Sequence, residues 1–480
     1  MAAALRNFIG GQWRDAQSAR ALDVWDPSTG ERIGEVPLGG SPEVAAAVRA
    51  AREALPAWRE TPPLDRARAI GRLRERLEAA REELARLVAR ENGKTLEEAR
   101  GSVRRGIEAV EFAASAPVLL TGGSLRNVGR GVDAAEFREP VGVVAGITPF
   151  NFPVMIPLWM APLALVCGNT FVLKPSERVP FSAERIGRLA EESGLPPGVL
   201  NLVHGGREAV EAIVDHPGID AVAFVGSAPV AREVYTRSAA AGKRVLALAG
   251  AKNHLVVLPD AELRPTVEAI VGSAFGQAGE RCLAGSVVLA VEPGADRLVA
   301  ALAERVRSLR VGPSDDPATE VGPLIRPEQC RRVAEWVERG RAEGARTAAV
   351  GTVPTGSGGF YHPPVLFDGV RPEMTIAQEE IFGPVLSVIR AASLAEAIEV
   401  ANRSRFGNAA AIFTRDGRAA REFSHGIAAG MVGVNVGVPA PLAHFPFVGW
   451  KGSVFGSLAA TGREALEFYT RTKVVTTRWF

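Results

Sequence analysis

The stretch FGQAGERCLAG, from Phe275 to Gly285, sets a cysteine among glycines and small residues directly after Glu280 and Arg281. In that setting Cys282 has three readings: a nucleophile, a metal ligand, or a small apolar filler. The other two cysteines, Cys167 and Cys330, are far from it and from each other, so there is no paired zinc spacing and no disulfide framework. Cys167 lies in the apolar run LALVCGNT and fits a core filler, while Cys330 lies in a polar helical pattern. A thiolate at Cys282 would add to an electrophilic carbon and form a covalent intermediate. Upstream, Asn151 stands between Pro149 and Pro153, either as a turn former or as a fixed amide donor. Lys174 and Glu177 follow the run TFVLK, where a strand ends. Without further context such a pair is a solvated one.

These side chains need a scaffold, and the texture of the chain describes one. From Gly142 onward, VGVVAGI, TFVLK, LNLVHG and AVAFVG are short β-branched runs separated by helical segments. That alternation predicts a parallel sheet with crossover helices, and a nucleotide site where strands end and helices begin. A second series runs from about Ala251 to about His444, with HLVVLP, SVVLAV, the helix ADRLVAALAERVRSL, and AAIFTR. The fold class is therefore α/β with two parallel-sheet domains. Ahead of them, SPEVAAAVRAAREALPAW predicts a helix with Ser41 as N-cap and Pro42 at its first position. LDRARAIGRLRERLEAAREELARLVAREN has helical spacing throughout, and Thr95 with Glu98 forms a capping box opening the helix that carries Arg104 and Arg105. Residues Gly123 to Glu139 and the tail FYTRTKVVTTRWF are β-rich, and are expected to pair with each other or with another subunit. Gly129, Gly131 and Ala134 fit a loose dinucleotide fingerprint, but no buried strand precedes them and no helix follows, which excludes the match.

The bulk numbers narrow the function. The chain has 480 residues, 47% hydrophobic and 23% charged, with a net charge of +2 and both signs interspersed. No basic block is present, which argues against nucleic acid as a partner. The start MAAALRNFIGGQWRD lacks the features of a signal peptide. The longest apolar run, Met155 to Gly168, is broken by two prolines and is too short for a bilayer. A cytoplasmic protein with no membrane partner is expected.

Read together, PFNFP, LKPSE, FVGS, GERCLAG and EEIFGPV resemble the aldehyde dehydrogenase superfamily in order and spacing, over nearly the whole chain. GAKNH, GERC and NVGVPAPLAHFPFVGWK are similar to its CoA-acylating methylmalonate-semialdehyde branch. The resemblance implies a discontinuous NAD-binding domain (1–122, 142–250 and 444–463), a catalytic domain (251–443) and an oligomerisation element (123–141 and 464–480) in a homo-oligomer, dimer or tetramer. It implies Cys282 as nucleophile and Asn151 as oxyanion donor. Cofactor contacts are implied for Phe150, Lys174, Ser176, Glu177, Gly226, Ser227, Glu380 and Phe382. Lys174 and Glu177 would hold the adenosine ribose, and Glu177 would repel a 2′-phosphate, favouring NAD over NADP. Where family members often carry a glycine five positions after Gly226, this chain has Ala231.

One departure bears on the reaction. Hydrolytic members carry a glutamate that activates water, and the matching position here is Leu248. Water has a pKa of about 15.7 and needs a base, whereas a thiol near about 8.5 does not. A Cys282 thioester would therefore resist water and yield to coenzyme A. Glu280 is the one nearby carboxyl that offers an alternative base. By resemblance Arg105 and Arg281 clamp the carboxylate of a semialdehyde substrate, methylmalonate or malonate semialdehyde, since a guanidinium fork matches a carboxylate. The products expected are propionyl-CoA or acetyl-CoA, CO2 and NADH, in valine, inositol or β-alanine breakdown. The rival reading is a CoA-independent enzyme that releases a carboxylic acid.

Overall fold

The structure, a computed structural model, describes residues 5–356 and 358–480. The apolar runs after Gly142 form an eight-stranded sheet. Its central strands lie in the order Leu200–Leu202, Thr170–Lys174, Val143–Ile147, Ala221–Val225 and Arg244–Leu248, all parallel. Helices cover both faces, so the strands are buried on each side and read as continuous apolar runs. The hairpin Asn7–Ile9 and Gln12–Arg14 closes one edge, and Val454–Phe455 pairs antiparallel at the other. Chain order reverses between Val143–Ile147 and Ala221–Val225, which leaves a crevice at their carboxyl ends.

A second, seven-stranded sheet runs Arg346–Val350, Val365–Asp368, Val385–Ala391, Gly285–Val291, Asn253–Val257, Ala409–Phe413 and Met431–Val434. Only its first pair is antiparallel. The two β-rich segments do pair with each other. Thr470–Arg478 and Val132–Pro140 run antiparallel in unbroken register from Thr470 opposite Pro140 to Arg478 opposite Val132, and Ser124–Gly129 adds a third strand. Gly129 and Gly131 sit at the tip of that hairpin, with Gly131 at φ +68°, so the discarded fingerprint is a β-turn.

The apolar helix Met155–Val166 is buried along its whole length, between the first sheet and the helices Pro63–Ala79 and Leu96–Ser115. Burial on every side explains its lack of an amphipathic pattern. Two local expectations are corrected. Helix Ser41–Glu60 takes Gly40 as its N-cap, because the Glu43 carboxylate accepts from the Gly40 N–H at 2.9 Å and the Gln17 N–H at 2.7 Å. Ser41 is thus the first helical residue. The long helical pattern divides at Ala80 into Pro63–Ala79 and Arg81–Asn92. The Thr95–Glu98 capping box forms with both hydrogen bonds in place.

Arg244 joins the tail to the first sheet. Its guanidinium donates to the carbonyls of Glu467, Phe468 and Thr470. Charge-assisted bonds of this kind contribute about 1.5–3 kcal/mol. Arg244→Ala is expected to cost about 2–3 kcal/mol, seen as a lower urea midpoint at unchanged slope. An unchanged midpoint would show that water satisfies those carbonyls equally well.

Candidate active site

The crevice at the strand reversal opens into a cavity of about 640 Å³. Its first wall comes from chain leaving the carboxyl ends of the parallel strands: Pro149, Phe150 and Asn151 after Ile147, then Ser176, Glu177 and Arg178 after Lys174. Gly226 and Ser227 follow Val225, and Ala249 and Gly250 follow Leu248. The facing wall carries Cys282, Glu380 and Phe382, with Gln329 and Arg332 beside them. Motifs far apart in the sequence therefore meet in one space, large enough for a small-molecule ligand.

On the first wall, Lys174 is buried and its Nζ lies 3.0 Å from Glu177 Oε2. Burial opposes ionisation of Glu177, yet the Lys174 ammonium and a backbone N–H hold its carboxyl below the usual range. Glu177 lines the main cavity, and both residues line an adjoining one of about 320 Å³ with Gly206 and Arg207. A carboxylate held ionised in this place suits a ribose diol, which presents two hydroxyl donors. Ser227, which lines the cavity, precedes the helix Ala228–Ala240 without capping it through its side chain, so the first-turn N–H groups have no partner from it. A Cβ at Gly226 would meet Phe224 Cζ at 2.5 Å, so no side chain fits there. Ala231 is fully buried in the core under the first sheet.

Cys282 is half-buried, and its main chain is held by one strand of the second sheet and by the residue preceding another. Its carbonyl accepts from Asn253 Nδ2 at 2.9 Å and from Asn408 Nδ2 at 2.9 Å. Burial pushes the thiol up to about 12, and the charge of Glu380 adds to that effect. Glu380 is itself raised by burial, and its Oε1 accepts from the Ala251 N–H at 2.9 Å. A Cβ on Gly250 would lie 2.7 Å from Glu380 Oε2, so a glycine there lets the carboxyl approach. Phe382 has φ +56°, a left-handed conformation that costs about 1–3 kcal/mol, and its carbonyl is secured by Gln329 Nε2 at 2.6 Å. Its ring meets that of Phe150 edge-on, with centroids 5.9 Å apart.

Asn151 is buried and gripped on both sides. Its Nδ2 donates to the Glu280 carbonyl at 3.0 Å, and its own carbonyl accepts from Lys94 Nζ at 2.7 Å and Gln277 Nε2 at 2.6 Å. Asn92 Nδ2 holds the Phe150 carbonyl at 3.0 Å. Asn92, Lys94, Gln277, Asn253 and Asn408 escape a motif-based reading because they bind main chain remote in sequence. The one local signal is ENGKT, where Lys94 falls between a helix-ending glycine and a capping box.

Arg281 turns its guanidinium to the carbonyls of Gly272 and Ser273, and Arg105 lies on the exposed face of its helix. Neither lines the cavity that holds Cys282. Burial pushes the Glu280 carboxyl up to about 8, and its Oε1 has no partner among the described residues. That carboxyl does not line the cavity either. Position 248 is a buried leucine, whose hydrocarbon side chain offers no proton acceptor. Among the described residues no group of three or more His, Cys, Asp or Glu could hold a metal ion.

A thiol raised to about 12 is ionised in proportion to hydroxide across the neutral range. Alkylation of Cys282 by iodoacetamide in the ligand-free protein is expected to rise about tenfold per pH unit between about pH 7 and 10. A plateau below about pH 9 would mean that the free protein already stabilises the thiolate.

Known proteins share this architecture. A family model described as the aldehyde dehydrogenase family matches residues 13–475. Malonate-semialdehyde dehydrogenase 2 of Geobacillus kaustophilus is 50% identical over 477 residues, covering 99% of each chain. The crystal structure of methylmalonate-semialdehyde dehydrogenase from Oceanimonas doudoroffii matches with a TM-score of 0.97 at 47% identity, covering 99% of this chain and 98% of that one. A Sinorhizobium meliloti protein assigned as a methylmalonate-semialdehyde dehydrogenase, solved with NAD, matches with a TM-score of 0.98 at 44% identity, covering 100% and 98%.

Proposed function

This chain belongs to the aldehyde dehydrogenase family, and on that premise we propose that it oxidises malonate or methylmalonate semialdehyde to an acyl-CoA, using NAD and coenzyme A. The relatives' names support the substrate class, and the NAD complex of a close structural neighbour supports the cofactor. Leu248 carries the acylating part of the reading: it is a buried leucine in the core against which Cys282 packs, where a hydrolytic enzyme needs a base.

In this reading the Cys282 thiolate attacks the aldehyde carbon. The Asn151 amide and the Cys282 N–H receive the resulting oxyanion, a stabilisation of about 3 kcal/mol for one well-placed donor. NAD supplies the hydride acceptor when bound. Lys174 and Glu177 hold the adenosine ribose, Ser176, Gly226 and Ser227 lie toward the pyrophosphate, and Phe150, Glu380 and Phe382 bound the nicotinamide end. With leucine at position 248, the thioester left on Cys282 lacks the base that hydrolytic members use there, and the CoA thiol takes the acyl group. Because the substrate's carboxylate is β to the thioester carbonyl, CO2 is lost before that transfer, into a thioenolate on Cys282 whose oxygen occupies the same oxyanion site and whose carbon then takes a proton from solvent. Arg281 and Arg105 are the guanidiniums proposed for that carboxylate. The clamp requires Arg281 to turn from the Gly272 and Ser273 carbonyls it now engages.

Residues 1–122, 142–250 and 444–463 serve as the NAD domain, 251–443 as the catalytic domain, and 123–141 with 464–480 as the oligomerisation element. The exposed Leu125, Phe137 and Val474 of the three-stranded sheet suit contact with further copies in a dimer or tetramer. A cytoplasmic enzyme is in keeping with three free cysteines and with the lack, among the described residues, of a helix able to cross a membrane.

The test is NADH formation from each semialdehyde with and without CoA, with products identified by mass. Sustained turnover only with CoA, giving acetyl-CoA or propionyl-CoA, is expected. Free acid formed without CoA would overturn the acylating reading. For the cofactor, Glu177→Ser is expected to improve NADP relative to NAD by at least about tenfold in kcat/KM, because it removes a like charge facing the 2′-phosphate. An unchanged ratio would place the discrimination elsewhere.

A further inference from the structure

Lys94 has no part in the chemistry described above, yet it is the largest charged side chain shut away from solvent near the site, at 1% exposure. Among the described residues it forms no ion pair. Its Nζ donates to the Asn151 carbonyl at 2.7 Å and lies 4.2 Å from the Phe152 ring centroid. An ammonium taken out of water without a carboxylate partner is destabilising, and an apolar side chain of similar length would fill the space without that cost. The charge therefore needs a reason, and the bond to Asn151 supplies one, since a charged donor to a carbonyl is stronger than a neutral one.

The chain around Lys94 is built to aim it. Gly93 ends the helix Arg81–Asn92 at φ +89°, and a Cβ there would meet Pro323 Cγ at 2.9 Å, so this corner is set by close approach. Thr95 then caps Leu96–Ser115. From this one corner Asn92 holds the Phe150 carbonyl, Lys94 holds the Asn151 carbonyl, and Glu98 Oε1 accepts from the Gln277 N–H at 2.7 Å. Gln277, at φ +52°, supplies the second donor to Asn151. The corner thus grips both the loop bearing the amide donor and the loop leading to Cys282.

We propose that Lys94 is a positioning residue of the oxyanion site: its ammonium fixes the Asn151 carbonyl and, through it, the direction of the Asn151 side-chain amide. The proposal rests on the oxyanion role read for Asn151. Burial draws the Lys94 ammonium down to about 7, while Glu98 and Glu280 favour its charge and Arg281 opposes it.

The test is a double-mutant cycle read by the single-turnover burst of NADH in the full-length enzyme with malonate semialdehyde. Lys94→Met, Asn151→Ala and their combination are compared, with NAD affinity and thermal melting measured for each. Lys94→Met is expected to slow the burst by about tenfold or more with NAD affinity held within about twofold, and the double variant to be no slower than Asn151→Ala alone. Lys94→Gln keeps a neutral donor, is expected to fall between wild type and Lys94→Met, and takes its place in the cycle if Lys94→Met does not fold. A burst unchanged in the Lys94 variants, or effects that multiply in the double variant, would overturn the proposal. An unchanged burst in Asn151→Ala would instead remove the oxyanion reading beneath it.

Discussion

The reversal of chain order between Val143–Ile147 and Ala221–Val225 is the constraint on which the rest of the molecule depends. Crossovers to either side of this point lead away in opposite directions, so no helix covers the gap between the two carboxyl ends. Every group on the cavity's first wall reaches it by following a strand out of the sheet. The second sheet supplies what the first lacks. Its Asn253–Val257 strand and the residue before Ala409–Phe413 deliver two asparagine amides to the Cys282 carbonyl. These bonds fix the main chain that carries the thiol.

Burial sets the electrostatics of this junction. Cys282, Glu280 and Glu380 are all pushed toward their neutral forms by loss of water, and Lys94 is drawn down to about 7 by the same cause. Buried groups of this kind are sensitive to any charge that enters beside them, because the local dielectric screens little. A cationic nicotinamide arriving beside Cys282 would favour the thiolate. Strain is concentrated here too: Gln277, Ala278 and Phe382 all adopt left-handed conformations on the loops that face the cavity.

Much of this architecture is legible in the residues themselves. VGVVAGI, TFVLK, AVAFVG, SVVLAV and AAIFTR are strands because runs of β-branched and apolar residues, bounded by turn formers, suit burial on both faces. Thr95 and Glu98 cap a helix through bonds confined to four consecutive residues, so their spacing suffices. Ser41 misleads for the same local reason in reverse: Glu43 reaches back to the Gly40 N–H and moves the cap by one position. The break at Ala80 lies inside a pattern that stays helical on either side, so periodicity could not report it.

The amino-acid order by itself determined the alternation of strands and helices, the cysteine in its small-residue setting, and the leucine where a base would stand, because each is a property of residues close together in the chain. Only the tertiary structure decided that Lys94 and Gln277 grip Asn151, that Asn253 and Asn408 grip Cys282, and that Arg281 turns to main-chain carbonyls while Arg105 stays on the surface. The physical reason is that these contacts depend on which remote backbone groups lie within hydrogen-bond reach. A side chain donating to a carbonyl far along the chain leaves no periodic mark, and its partner is settled only when the two sheets close around the crevice.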